Sequence, residues 1–299
     1  MSLVEQAIAK LRGAEQSAQA LNPAPGLDQR PSASPKWDPT ATDPMLGSAN
    51  LLNIDSGYLR EAGYLPELAG ERQISEHYRQ IKRPLVERAI STSGSGSDHP
   101  DARVIMVTSG LPGEGKTFTS INLAYSLARE RDISVLLVDA DILKPHVSEI
   151  FGVAQNRGLM SALSDPDIPV ESLVLRTNVR GLSILPAGRS AEGAAEQLLS
   201  NRMREILGQL FANNPRRIVL LDSPPLLVTS EGPAITKIAG QVVLVVRVGK
   251  TPEQVVKDAI ALLDVARFGG IVVNDARLSL SESYYGYGKY GNQSGGYPA

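Results

Sequence analysis

The sequence predicts a doubly wound α/β domain, a mostly parallel sheet flanked by helices, with a disordered linker before it and a tyrosine-rich tail after it. Three observations carry this. Short β-branched runs recur from Arg103 onward, namely VIMVTS, ISVLLVDAD, LSILPAG, RRIVLLDSPP, QVVLVVRVG and GGIVVNDAR. Each is apolar throughout, as in strands buried on both faces, rather than alternating. Stretches of helical composition separate the runs, and that alternation sets helices on both sides of a parallel sheet.

Taken from the N-terminus, Val4, Ala7, Ile8, Leu11, Ala14, Ala18 and Leu21 share one helical face interrupted by Gly13, which predicts an amphipathic helix over residues 1–21. Such a face packs on its own domain or docks on a partner, and the spacing is compatible with both. Residues 22–69 read as a mostly disordered linker. Pro23, Pro25, Pro31, Pro35, Pro39 and Pro44 stand there among Ser, Ala and Asp, with too few apolar side chains to offset the entropy of ordering. Helix-forming composition returns over 70–91, where Ile74, Tyr78, Ile81 and Leu85 form a stripe and Pro84 is expected to end or kink the helix. A Ser/Gly run, STSGSGSDHPD, separates this leading helix from a core at 103–280. Residues 281–299, SESYYGYGKYGNQSGGYPA, lose apolar periodicity and form a flexible tail that cannot build a core.

Composition removes several chemistries. A formal net charge of -2 gives no global attraction to nucleic acid, and no nucleic-acid partner is expected. The absence of cysteine excludes disulfides, thiolate catalysis and Cys-based metal sites. No apolar run approaches the roughly 18 residues of a membrane span, and the opening MSLVEQAIAKLRG lacks a signal peptide's apolar stretch, so the chain is expected to be cytoplasmic. His77, His99 and His146 are too scattered to suggest a metal cluster.

The segment VIMVTSGLPGEGKTFTSINLAYSLA contains G-x-x-x-x-G-K-T at Gly110, Gly115, Lys116 and Thr117, between a predicted strand and a predicted helix. In a loop of this kind glycines let backbone N–H groups wrap phosphate oxygens, and Lys116 brings a positive charge to the β- and γ-phosphates. Thr117 offers a hydroxyl to Mg²⁺, and the following helix directs its positive dipole end inward. Gly113, Glu114, Gly115, Lys116, Thr117 and Phe118 are therefore the expected contacts to ATP. Asp222 ends the run RRIVLLD, where a carboxylate can hold Mg²⁺. Asp139 and Asp141 leave the end of another strand beside the same crevice, one suited to the metal and the other to accepting a hydroxyl proton. Strand-end aspartates also cap helices; together with the phosphate loop, a site is favoured.

From about Ile74 to its end the chain resembles the bacterial tyrosine kinases of exopolysaccharide synthesis, and most closely the exosortase-associated tyrosine autokinases. The strings that carry the likeness are SGLPGEGKT at Ser109 to Thr117, VDAD at Val138 to Asp141, ILPAG at Ile184 to Gly188 and LDSPP at Leu221 to Pro225. The resemblance implies that Lys116, Asp139, Asp141 and Asp222 are catalytic, that Thr117, Asp139 and Asp222 serve Mg²⁺, and that Asn274 lies near the adenine. It also implies autophosphorylation of the tail at Tyr284, Tyr285, Tyr287, Tyr290 and Tyr297. Glu76, Arg79 and Lys82 resemble an E-x-x-R-x-x-R motif that assembles related kinases into rings, and at this spacing the three charges share a helix face. Implied partners are further copies of the chain, phosphorylated in trans, a separate membrane-embedded chain-length or activator protein, and a tyrosine phosphatase.

The chain departs from the family pattern where Leu143 and Lys144 stand in place of an arginine after the second aspartate, where Lys82 replaces an arginine, and where Asp275 rather than lysine follows Asn274. A positioning or partitioning ATPase of the neighbouring group shares the aspartates, but such proteins usually carry lysine directly after the first loop glycine, where this chain has Leu111. The third reading is a nucleotide-controlled scaffold of a polysaccharide synthase. No H-R-D or D-F-G string of a eukaryotic-type kinase is present.

Overall fold

The computed structural model of the chain describes residues 51–91, 101–189, 193–212 and 214–276. The helix expected over 1–21 and the tail at 281–299, with all five of its tyrosines, lie outside the described residues. Among the described residues, eight strands form one sheet. They are β1 (Leu51–Leu52), β2 (Val104–Ser109), β3 (Ser134–Asp139), β4 (Leu175–Thr177), β5 (Leu182–Leu185), β6 (Arg217–Asp222), β7 (Gln241–Arg247) and β8 (Phe268–Asn274), in the order β1-β4-β5-β3-β6-β2-β7-β8. Every pairing is parallel except β4 with β5. The doubly wound α/β architecture expected from the apolar runs is the one observed.

Two-residue alternation divides the strands between two cores. Ile105, Val107, Val135, Leu137, Ile218, Leu220, Val243 and Val245 face one layer. There they meet α1 (Ser56–Glu61), α2 (Glu71–Ser91), α3 (Lys116–Ala128) and α4 (His146–Ile150). Val104, Met106, Leu136, Val138, Val219, Leu221, Val242 and Leu244 face the other. That layer holds α5 (Leu159–Ser164), α6 (Ala194–Leu199), α7 (Asn201–Ala212), α8 (Glu231–Thr236) and α9 (Glu253–Ala261). Burial on both faces explains why the runs read as continuously apolar.

The linker expected over 22–69 is corrected at its C-terminal end, because residues 51–69 belong to the domain. Asp55 caps α1 through its carboxylate, which accepts from the backbone of Gly57 and Tyr58. Ile54, Leu59 and Leu65 are buried in the α2–α3 layer, and the Asn178 side chain holds Ile54 by both its N–H and its carbonyl. Few apolar residues are present here, but each is spent in the core. Pro84 does not end α2 either, as the helix runs through it. Proline removes one donor and crowds the preceding turn. Against that cost stand Leu85, buried directly after it, Ala89, buried about one turn beyond Leu85, and the Gln241 side chain, which donates to the Leu85 carbonyl at 2.9 Å.

Candidate active site

The loop between β2 and α3 is shaped by glycine and clamped from outside. Gly113 and Gly115 take φ of +81° and +97°, in the region that favours glycine. A Cβ at Gly115 would also stand 1.9 Å from Asn274 Nδ2, so a side chain there would displace that amide. That amide donates to the Glu114 carbonyl at 3.0 Å, so Asn274 braces the loop at the end of β8. Glu114, 4% exposed, turns its carboxylate inward to accept from the Leu111 N–H at 2.8 Å and from the Thr251 hydroxyl. Arg247 donates to the Gly113 carbonyl at 3.2 Å and pairs with Asp275 at 3.0 Å. The side chains of Glu114 and Asn274, both expected against nucleotide, are thus engaged in holding the loop backbone. Asp275, where lysine was the pattern, supplies the acid that anchors Arg247.

Asp139 and Asp222 are register partners at the ends of the adjacent strands β3 and β6, and both are fully buried. Thr117 Oγ1 and Ser120 Oγ donate to the two Asp222 oxygens, each at 2.8 Å. Lys116 Nζ donates to Asp141 Oδ2 at 2.7 Å, in a pair with both side chains nearly out of solvent. Burial and the Asp222 charge push the Asp139 carboxyl from 3.8 up to about 7. Burial likewise raises Asp222, against the pull of Lys116. On Lys116 itself, burial acts to lower the ammonium, but Asp222, Asp141 and Asp139 together raise it. Three carboxylates facing one ammonium make a site that is short of positive charge.

Asp139 is held from one side only. Its Oδ2 accepts from both the N–H and the hydroxyl of Ser148, each at 2.7 Å, while Oδ1 is buried with no hydrogen-bond partner. The Ser148 oxygen in turn accepts from the Ala187 N–H at 3.0 Å. This arrangement fits a hard cation: carboxylate and hydroxyl oxygens are the donor set of Mg²⁺, which is usually held by one or two carboxylates with substrate phosphates completing the shell. Asp139, Asp222 and Thr117 are the residues that would hold such an ion, and the orphaned Asp139 oxygen is open to it.

The structure brings Gly113, Glu114, Gly115, Lys116, Thr117, Asp139, Asp141, Asp222 and Asn274 together, with Phe118 half-buried at the start of α3. Glu76, Arg79 and Lys82 line one surface groove, but they are not equally free. Glu76 and Arg79 pair with each other in solvent. Lys82, expected with them, is buried: its Nζ donates to the Ser126 carbonyl at 2.8 Å and pairs with Glu130 at 2.6 Å, so it fastens α2 to α3. Lys144 is exposed and gives Asp141 only its backbone N–H, at 3.2 Å.

Ser120, Ser148 and Thr251 were not legible as site residues. Ser120 follows Thr117 by three residues on the same helix face, a spacing that would have placed it against the same carboxylate, Asp222; Ser148 carries no such signal. Ser148→Ala is expected to raise the Mg²⁺ concentration needed for half-maximal activity by about 10- to 100-fold, as loss of an outer-sphere partner does. Ser148→Thr, which keeps the hydroxyl, is expected to recover most of it. A metal titration of initial rates checks this, and equal Mg²⁺ requirements in wild type and Ser148→Ala would contradict it.

A family model described as an AAA domain matches residues 102–262. Tyrosine-protein kinase YwqD of Bacillus subtilis is 32% identical over 220 residues, covering 73% of this chain and 88% of that protein. Tyrosine-protein kinase etk of Escherichia coli K12 is 29% identical over 183 residues, covering 60% of this chain and 25% of that longer protein. Among solved structures, the VpsO kinase domain covers 71% of this chain and all of its own at 28% identity and a TM-score of 0.55. The BceF tyrosine kinase domain covers 75% and 91% at 27% identity and 0.58. With the phosphate loop, the strand-end aspartates and these matches in hand, the chain belongs to the bacterial tyrosine-protein kinases of the P-loop nucleotide-binding superfamily.

Proposed function

We propose that this chain is a Mg²⁺- and ATP-dependent autokinase that phosphorylates its own C-terminal tyrosines, Tyr284, Tyr285, Tyr287, Tyr290 and Tyr297, in trans between copies, and thereby regulates exopolysaccharide polymerisation or export. One observation carries the reading: Lys116, Thr117 and three buried aspartates converge at the strand ends where the phosphate loop opens. Lys116 and the loop N–H groups bind the β- and γ-phosphates, and Thr117, Asp139 and Asp222 hold the metal. Bound Mg²⁺ supplies positive charge that this carboxylate-rich site lacks. As the Lys116 ammonium is drawn toward phosphate oxygens, the Asp141 carboxylate is released to accept the proton of the tyrosine hydroxyl. That oxygen bonds to the γ-phosphorus while the bond to the ADP oxygen breaks. Assembly of copies through Glu76 and Arg79, recruitment to the inner face of the membrane by a separate activator, and reversal by a tyrosine phosphatase complete the proposal. No helix among the described residues is long and apolar enough to cross a membrane.

The test is peptide mass spectrometry of dephosphorylated full-length protein after incubation with Mg-ATP. Phosphate on peptides spanning Tyr284 to Tyr297 is expected, and none without Mg²⁺. ATP hydrolysis with an unmodified tail, activator present, would instead favour the positioning ATPase or the scaffold.

A further inference from the structure

A second cavity, of about 500 Å³, lies between α1, α2 and α3, away from the phosphate loop. Its walls include Tyr125 and Arg129 of α3, and Tyr125 stands nine residues after Lys116, roughly 14 Å along the helix at 1.5 Å per residue. Four cations line it, Arg60, Arg79, Lys82 and Arg129, against the single carboxylate of Glu71 among its described lining residues. Arg60 and Arg129 both lean on that carboxylate, at 3.2 and 3.4 Å, while Lys82 and Arg79 find Glu130 and Glu76 outside the cavity lining. Two guanidiniums therefore share one negative charge. The Arg60 Nε–H is buried with no hydrogen-bond partner, so one donor in the wall is unspent, and beside it the buried Tyr125 hydroxyl lies against the Ser56 side chain. Opposite them, Leu65, Pro66, Ile74 and the ring of Tyr78 offer an apolar surface.

Paired guanidiniums, an unspent donor and an apolar wall together match an aromatic ring bearing a phosphate. An arginine pair recognises the dianion with charge-assisted, forked hydrogen bonds, and the wall takes the ring. We infer that this cavity is a phosphotyrosine site whose occupant is a phosphorylated tyrosine of the C-terminal tail. The inference rests on the proposed tail phosphorylation for its ligand. Reach is sufficient: Asn274 touches Glu114 just before α3, Tyr125 lies roughly 14 Å along that helix, and at about 3.3 Å per residue an extended chain from Ala276 spans roughly 25 Å to Tyr284 and roughly 70 Å to Tyr297. Each phosphate adds about 1.5 to 2 negative charges, which converts a tail with little affinity for this wall into one that seeks it. Occupation sequesters the modified tail beside α3 and away from the crevice that modified it.

The experiment uses the dephosphorylated full-length chain and fluorescein-labelled peptides of residues 281–299, one carrying phosphate on Tyr287 and one unmodified. Expected is saturable binding of the phosphopeptide, at least about tenfold tighter than the unmodified peptide and weakened by added salt. Arg60→Gln combined with Arg129→Gln is expected to weaken it at least about tenfold, with ADP affinity unchanged. Ser75→Glu, which adds a carboxylate to the cavity without removing an ion pair, is expected to do the same and keeps the test intact if the double variant misfolds. Equal affinity for both peptides, or phosphopeptide binding that survives these variants or is displaced by ADP, would overturn the inference. Because the peptide arrives already phosphorylated, the result is independent of whether the chain modifies its own tail.

Discussion

Lys116→Met is expected to abolish tail phosphorylation and to lower the melting temperature as well. The catalytic loss follows from the removal of a charge aimed at the transferring phosphates; single electrostatic donors of this kind are worth about 10²- to 10³-fold. The stability loss follows from the carboxylates left behind. Lys116 and Asp141 form a nearly solvent-free pair at 2.7 Å, and stripping one partner from a buried pair costs about 3–5 kcal/mol. For a domain of this size that corresponds to a fall on the order of 10 °C. The pH dependence has a definite sign. The neighbouring carboxylates raise the Lys116 ammonium above 10.5, so the stability it contributes is fully present below that pH and lost only above it. In the variant, Asp139, whose carboxyl is raised to about 7, takes up a proton as the medium is acidified, which relieves repulsion among the carboxylates left behind, and the deficit shrinks from pH 8 toward pH 6. Adding Asp141→Asn to Lys116→Met is expected to restore much of the melting temperature and none of the activity, because the orphaned charge is removed but the phosphate contact is not. Thermal melts of the single and double variants, beside mass spectrometry of the tail, measure both. A Lys116→Met protein that melts with wild type at pH 8 would show that the buried pair contributes nothing.

Much of this site was legible because its residues sit where secondary structure changes. Asp139, Asp222 and the loop from Gly110 to Thr117 all follow apolar runs, and the period-two alternation of those runs fixes which side chains turn into each core. Less legible was whatever depends on contacts distant in sequence. Lys82 reads as a surface charge in a helical stripe, and only its approach to Ser126 and Glu130 of α3 and its C-terminal turn shows that it is a fastener. Glu114 reads as a ligand from its place in the nucleotide loop and Asn274 from the family resemblance, yet the Glu114 carboxylate meets the Leu111 N–H and the Thr251 hydroxyl, and the Asn274 amide meets the Glu114 carbonyl. Ser148 belongs to a five-residue helix without a motif and becomes visible only through the carboxylate it holds. Residues 51–69 looked too poor in apolar side chains to order, because composition counts such residues without knowing that Ile54, Leu59 and Leu65 each find a buried place.

Asp139→Asn is expected to move activity and apo-protein stability in opposite directions. In the fold the Asp139 carboxyl titrates at about 7, whereas in the unfolded chain it does so near 3.8, chiefly because burial and then the charge of Asp222 disfavour its ionised form. Between these two values the folded state holds more protons than the unfolded one, so the stability contributed by this group falls as pH rises through that window and stays low above it. The full penalty corresponds to about 4 kcal/mol. Asparagine carries no charge, and its oxygen can accept the Ser148 N–H and hydroxyl bonds that Oδ2 receives now. Its amide then occupies the place of Oδ1, where no partner exists, at a cost of about 1–3 kcal/mol. The remainder favours the variant, by on the order of 1–3 kcal/mol at pH 8. That gain is expected to vanish and then reverse as the pH approaches 4, where wild type is itself neutral and carries no amide. Mg-ATP reverses the ranking at pH 8: ligand that binds only the folded state raises the wild-type melting temperature, and the variant, lacking a carboxylate for the metal, gains far less. Tail phosphorylation is expected to fall by at least about 10²-fold. The charge that destabilises the empty site is then the charge that the metal-nucleotide complex requires, a relation often found where function and stability compete. Melting curves of both proteins from pH 5 to 8, with and without Mg-ATP, decide it. An Asp139→Asn protein less stable than wild type at pH 8 without nucleotide would show that the carboxylate is well solvated or paired, contrary to its buried, half-satisfied position in this fold.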